Sequence, residues 1–373
     1  MPIPFNQPSR NVQRHRQLIE QAISQTLTGG FYLLGPVVEA FEQAFASYCQ
    51  VKHCVSVANG TDALVLALRA FDIGPTAEVI TAANAGGYAS GACFRVGATP
   101  VYADVNPTTL LLDPMQAEAT ISPATRAIIV THLYGNMADM TAFRALADHY
   151  KLVLIEDCAQ AHGARWANRP AGSWGDVGTF SFYPTKNLAA LGDAGALICH
   201  NEKLANTLRE LRQYGWREKY TVQRQYGINS RLDAMQAAIL QAKLPYLDAD
   251  NCRRRAIARR YQTALIDSSA KLVQQTSTAG ATDAAQVAHL GVIRCQRRER
   301  LSAALRAAQV DTAIHYPVLD CDQPAWQQLP WRALPLPISR QANTEILSLP
   351  LYPELLDSEV DQICEVLHHT LAE

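Results

Sequence analysis

Between about residues 52 and 200, short runs rich in β-branched residues alternate with stretches of helical periodicity. That alternation narrows the possible folds more than any other feature of the chain. Strand candidates fall at 53–58, 78–81, 100–105, 127–131, 152–157, 179–183 and 194–199. Helix candidates at 62–71, 89–96 and 140–150 lie between them, and one at 202–214 follows. Strand–helix repetition of this kind puts helices on the faces of a largely parallel sheet. Runs such as Ala127-Ile128-Ile129-Val130, apolar without a break, suit strands covered on both faces. The pattern predicts an α/β architecture with a mostly parallel central sheet.

The rhythm changes after Asn229-Ser230-Arg231-Leu232-Asp233. Helices are expected at 233–244 and 253–266, and Pro245 stops them from forming one unbroken rod. A strand at 288–295, a helix at 298–309 and an amphipathic helix at 357–371 make a smaller C-terminal α+β lobe. The expected division is a large domain at 1–250 and a small one at 251–373, which suits a chain of 373 residues. The small, polar stretch 279–285 reads as a surface loop. Arg253, Arg254, Arg255, Arg259 and Arg260, at helical spacing after Asp248 and Asp250, read as a solvated, partly ion-paired helix face.

Bulk numbers exclude some partners. Lysine and arginine total 33 against 34 acidic residues, a formal net charge of −1, which gives no reason to expect nucleic acid or an anionic membrane. No apolar run approaches the roughly 18 residues of a membrane span, and the polar start Met1-Pro2-Ile3-Pro4-Phe5-Asn6 lacks a signal-peptide core. The nine cysteines are scattered without a C-x-x-C or a His/Cys cluster of zinc spacing. No metal site is expected, and the free thiols fit a reducing, cytoplasmic setting.

The chemistry is concentrated in two stretches. Ile155-Glu156-Asp157-Cys158-Ala159-Gln160 closes a strand on a carboxylate, and Ser181-Phe182-Tyr183-Pro184-Thr185-Lys186-Asn187-Leu188 places a lysine after an apolar run. Pyridoxal 5'-phosphate asks for that pair: an amine for a Schiff base with its aldehyde, and a carboxylate that keeps the pyridine nitrogen protonated. Most lysines are surface residues and most strand-ending aspartates enter turns, so neither residue suffices alone. Val55-Ser56-Val57-Ala58-Asn59-Gly60-Thr61-Asp62 reads as strand, tight turn and helix start, where free N–H groups and a positive dipole end suit a phosphate. The plainer reading is an N-cap, with Thr61 or Asp62 simply starting a helix.

Taken in order, Asn59-Gly60-Thr61-Asp62-Ala63-Leu64, Glu156-Asp157-Cys158-Ala159-Gln160-Ala161-His162-Gly163, Phe180 to Leu188, Gly192-Asp193 and Asn229 to Asp233 resemble the DegT/DnrJ/StrS family of sugar aminotransferases. The likeness runs from about Gly35-Pro36 to Ser348-Leu349-Pro350-Leu351-Tyr352-Pro353. It implies the aspartate-aminotransferase-like (type I) fold and a homodimer whose subunits share each active site. Lys186 would hold the cofactor and shuttle a proton, and Asp157 would pair with the pyridinium. Gln160 would lie near the ring and its hydroxyl, Gly60, Thr61 and Ser181 at the phosphate, and Asn229 would reach the partner's phosphate group. His162, in the same motif, is equally read as structural. Relatives place an aromatic over the cofactor from the loop matching 81–87, but its ungapped counterpart here is Gly86; Tyr88 is expected to supply the ring.

At the substrate end, Arg217, Lys219, Tyr220 and Arg224 form a basic, aromatic loop suited to a nucleotide diphosphate. His315-Tyr316-Pro317 resembles a motif near the sugar-nucleotide site, and its sequel Val318-Leu319-Asp320-Cys321 departs from the usual pattern. The resemblance implies a pyridoxal-phosphate transaminase acting on a nucleotide-linked keto-sugar, with glutamate as amino donor. Alternatives are a cyclitol ketone as substrate, a sugar dehydratase, or a non-catalytic regulatory protein of the same fold. Dehydrating relatives carry histidine where Lys186 stands, and the intact Lys186–Asp157 pair opposes the regulatory reading.

Overall fold

In the computed structural model, which describes residues 2–273 and 283–371, the expected strands form one sheet. They are β1 (His53–Val57), β2 (Glu78–Ala82), β3 (Thr99–Ala103), β4 (Thr125–Thr131), β5 (Val153–Asp157), β6 (Val177–Ser181) and β7 (Gly195–Cys199). Their spatial order is β1-β7-β6-β5-β4-β2-β3, and Arg332–Ala333 adds a short parallel strand beyond β3. The run from β3 to β6 is parallel, whereas β7 lies antiparallel to both its neighbours. The sheet is therefore largely parallel, as the alternation predicts. The loop from β6 to β7 holds no helix, and β7 returns antiparallel beside β6.

Both faces are dry. On one side Val38, Phe41 and Phe45 of the helix Pro36–Tyr48, with Met140 and Phe143 of Met140–Tyr150, pack on Ile128, Val130 and Leu154. On the other, Leu64 and Leu68 of Gly60–Ala70 and Leu204 and Leu208 of Glu202–Leu211 cover Val55, Val79, Ile129 and Ile155. Successive residues of β4 thus enter opposite layers, and each fully buried side chain contributes about 1.5–3 kcal/mol of apolar burial. Helix starts are set by side-chain caps: Asn59, Asp139, Asn201 and Asp233 each accept a backbone N–H from the first turn.

Helix Ala234–Lys243 ends in a tight turn at Leu244–Tyr246 that contains Pro245, and Leu247–Ala264 follows. A second sheet of Lys271–Leu272, Gly291–Arg294 and Ile346–Leu349 carries helices Arg298–Ala307 and Asp357–Leu371 over a separate core. That core includes Ile257, Tyr261, Leu301, Val360 and Ile363, and also Ile3, whose strand-like bridge to Val310 ties the start of the chain to it. The arginine cluster needs a correction. Arg253 and Arg260 pair with Asp357 and Arg259 with Asp283, but Arg254 is buried and donates to the carbonyl of Leu351 at 2.9 Å. Of the expected loop 279–285, residues 279–282 lie outside the described residues, while Asp283–Ala285 forms a short turn with Ala285 buried.

Candidate active site

Strand register brings the site together. Thr131 of β4 stands opposite Asp157 of β5, Asp157 opposite Thr179 of β6, and Ser181 and Val57 both opposite Gly195. The carboxyl ends of β4, β5, β6 and β1 therefore share one edge, where α/β sheets open their ligand crevices. A cavity of about 730 Å³ lies there. Gly60, Thr61, Tyr88, Asp157, Gln160, Ser181, Lys186, His315 and Tyr316 line it, together with Thr131, Asp193 and His289.

The phosphate end is the start of helix Gly60–Ala70. Asn59 accepts the Asp62 N–H at 2.8 Å, and the first intrahelical bond runs from Ala63 to the Asn59 carbonyl at 3.1 Å. The amides of Gly60 and Thr61 precede that bond and face the cavity end of the helix dipole. A Cβ on Gly60 would lie 2.6 Å from that of Ser181, so only glycine permits this approach of helix and strand. The cap is Asn59 rather than Thr61 or Asp62, and the helix start that it leaves open lines the cavity.

Asp157 is buried, accepting the Ala159 N–H at 3.1 Å and the Thr131 hydroxyl at 3.3 Å. Burial raises its pKa, opposed by the Ala159 N–H and the Lys186 charge. Lys186 is half-buried, and burial pushes its amine down to about 8 against the opposing pull of Asp157. An amine in that range has a substantial neutral fraction near physiological pH, as a nucleophile and base requires. The next residue fixes its position: buried Asn187 donates to Asn251 at 2.8 Å and to the Val287 carbonyl at 3.1 Å. The Asp157 carboxyl, the Lys186 amine and the small-residue helix start on one cavity fit pyridoxal phosphate.

The neighbouring Glu156, His132 and His162 are structural. Glu156 turns away from the cavity, accepting N–H groups from Gly172, Trp174 and Gly175 and pairing with His132 at 2.9 Å. His132, Glu156 and Cys158 do converge, but the other His132 ring nitrogen accepts the Ala138 N–H, and the Glu156 oxygens are already engaged. His162 is buried against Phe180 and Phe182, and burial drops its pKa to about 3. Burial likewise takes His315 down to about 4, and its Nδ1 lies 2.9 Å from the Ser348 hydroxyl.

Two named residues stay outside this cavity. Asn229 is exposed, while adjacent Ser230 is buried and donates its hydroxyl to Asp62 at 2.7 Å, pinning the segment to the foot of the phosphate helix. Lys219 is exposed, with its amine 5.1 Å from the Tyr220 ring centroid. Arg217 and Arg224, from the same loop, both pair with Glu210. Sequence reasoning missed Thr131 and His289, which also line the cavity. Thr131 was reachable, since it ends a parallel strand beside the one that ends on Asp157.

The fold and the site define a pyridoxal-phosphate-dependent aminotransferase of the aspartate-aminotransferase-like type. The chain belongs to the DegT/DnrJ/EryC1/StrS aminotransferase family, which it matches over residues 13–368. It is 43% identical to a dTDP-3-amino-3,6-dideoxy-alpha-D-galactopyranose transaminase of Aneurinibacillus thermoaerophilus, across 98% of this chain and 99% of that one. Its fold superposes on the crystal structure of Streptomyces venezuelae DesV in complex with a ketimine intermediate. The TM-score is 0.93 at 40% identity, over 99% of this chain and 98% of that one. A more distant relative, the 3-oxo-glucose-6-phosphate:glutamate aminotransferase of Bacillus subtilis, is 32% identical over 95% of this chain and 80% of its own.

Proposed function

We propose that the protein transfers an amino group from glutamate to the keto carbon of a nucleotide-linked deoxysugar, working as a homodimer in the cytoplasm. The observation that carries this reading is the placement of Lys186 and Asp157 on one cavity, beside a phosphate cradle. Similarity to a dTDP-sugar transaminase supports the nucleotide-linked substrate, and the glutamate named for the Bacillus subtilis relative supports the donor.

Bound pyridoxal phosphate supplies an electrophilic aldehyde and an electron sink. The Gly60 and Thr61 amides and the Ser181 hydroxyl would hold its phosphate. Asp157, at the end of β5, would pair with the ring nitrogen and hold a proton there. Lys186, whose amine partial burial lowers to about 8, would be neutral in a useful fraction and would take a proton from the donor's α-carbon and return one to the carbon that was the ketone. His315 and Tyr316 border the substrate end of the cavity.

A second copy of the chain accounts for two surface features. Phe31, Tyr32, Leu33, Leu191 and Met235 are exposed and adjacent: Tyr32 accepts the Ala234 N–H, and Gln236 holds Leu191. An apolar patch of this kind marks an interaction surface. Asn229, exposed beside the phosphate helix yet outside its own cavity, and Lys219 are then free to serve the partner's site.

A panel of dTDP-linked and UDP-linked 3-amino-6-deoxyhexoses, with free amino-sugar phosphates and cyclitol amines alongside, run in reverse with 2-oxoglutarate, tests the substrate class. We expect turnover with nucleotide-linked sugars and formation of glutamate. Activity confined to free sugar phosphates or cyclitol amines would reject the nucleotide-linked reading.

A further inference from the structure

The wall of the cavity at Gly86 is built differently from what the family likeness implies. Gly86 and Gly87 both have positive φ, +78° and +84°, and each faces an aromatic ring from a segment more than 200 residues away. A Cβ on Gly86 would lie 2.7 Å from the Tyr316 ring, and a Cβ on Gly87 would lie 2.7 Å from the Trp326 ring. Ala85, Tyr88 and Tyr316 line the cavity, whereas Gly86 does not. The place where a loop aromatic would project is already filled.

Tyr316 is fixed from several sides. Its hydroxyl accepts the Gln160 side-chain amide at 3.0 Å, and Gln160 is itself oriented by the Tyr134 N–H at 2.6 Å. Its carbonyl accepts from Asn343 at 2.7 Å, and the preceding carbonyl, of His315, accepts the Tyr134 hydroxyl at 2.7 Å. The segment that carries it is tied to the glycine loop by buried Asp320. That carboxylate accepts the Gly87 N–H at 2.8 Å and the Ser90 hydroxyl at 2.5 Å, and the Asp320 N–H donates to the Ala83 carbonyl at 2.7 Å. Helix Tyr88–Val96 has no side-chain cap of its own, so Asp320 supplies one from the far end of the chain. Tyr88, by contrast, is about half exposed, and its ring meets Tyr316 edge-on at 6.1 Å.

We propose that Tyr316, not Tyr88, is the aromatic wall against which the cofactor ring packs, and that position 86 is glycine because Tyr316 occupies its side-chain space. Asp320 is the positioning residue that holds the Tyr316 segment to the loop. Gln160 acts through Tyr316, orienting its hydroxyl. A planar π-system gains from an aromatic face only when that face is held still, and Tyr316 is the anchored ring of the two.

This rests on the cofactor being seated between Asp157 and Lys186, so the test carries a control for that seating. Apoprotein is titrated with pyridoxal 5'-phosphate, and affinity and the induced circular dichroism of the cofactor band are read for Tyr316→Phe, Tyr316→Leu, Tyr316→Ala and Tyr88→Ala. Loss of the ring in the Leu and Ala variants should weaken binding by about threefold to tenfold and reduce the induced signal. Tyr316→Phe should keep both. The Leu variant retains most of the volume and carries the test if the Ala variant misfolds. A loss below about threefold in the ring-free variants overturns the proposal. So does an equal loss in Tyr316→Phe, or a larger one in Tyr88→Ala. Borohydride reduction of the wild type separates the two readings. Label on Lys186 with an inert Tyr316 sinks only the wall assignment, whereas label elsewhere sinks the seating as well.

Discussion

Replacing Lys186 with methionine tests the central electrostatic argument without measuring catalysis. The amine has a pKa of about 8 in the folded protein without cofactor, because burial outweighs the favourable pull of Asp157. In the unfolded chain an exposed lysine titrates near 10.4. Between those values the unfolded state binds more protons than the native state, so stability rises with pH across that window. Below pH 8 the buried charge costs the native state about 3 kcal/mol, and the cost fades as the pH approaches 10. Lys186→Met removes the titrating group. The stability difference between wild type and variant should therefore shift by about 2 kcal/mol towards wild type from pH 7.5 to 9.5. Urea unfolding of both apoproteins, followed by tryptophan fluorescence at several pH values, measures that shift. Lys243 is buried, also lowered to about 8, and donates to the Ala189 carbonyl; it remains in both proteins and cancels in the comparison. A difference that stays flat with pH would mean that Lys186 titrates as an ordinary surface lysine, and the case for its neutral amine would fall.

Other expectations follow from the same geometry. Asp157→Asn should keep the cofactor bound but lose turnover by on the order of a hundredfold or more, ~2.7 kcal/mol of barrier; a variant with wild-type rates would give the ring nitrogen another partner. Mixing Lys186→Ala with an inactive Asn229→Ala should restore activity in hybrid dimers, because one of their two sites carries neither defect; verified hybrids of well-folded parents that stay inactive would confine Asn229 to its own chain. Asp320, raised to about 7 by burial, holds its proton more tightly in the native state, so its contribution to stability falls as pH rises from about 4 to 7. Asp320→Asn should flatten that part of the stability profile, and an unchanged profile would show that the carboxyl titrates normally.

Local pattern was enough for the elements. The expected strand at 127–131 forms as Thr125–Thr131, and the one at 152–157 as Val153–Asp157, because β-branched runs between turn residues need no distant information to become strands. Lys186 and Asp157 were legible as candidates because each follows or closes a strand, and parallel register brings the carboxyl ends of such strands to one edge. The register of the arginines was not legible. Five charges on one helix look alike in sequence, and only packing against Leu351 and its carbonyl selects Arg254 for burial.

The chain's own order of residues determined the layered α/β fold, a helix start just after β1 and the candidate pairing of an amine with a carboxylate. Tertiary structure alone decided how the cavity is walled. Gly86 by itself reads as a missing aromatic, and Tyr316 by itself reads as part of a substrate motif. Their relation depends on Asp320, which ties its segment to the start of helix Tyr88–Val96 and leaves the ring so near that a Cβ at position 86 would lie 2.7 Å from it. Periodicity and capping act over a few residues and leave a local trace. Contacts across more than 200 residues are fixed by shape and hydrogen-bond satisfaction in the folded core, and no local pattern encodes them.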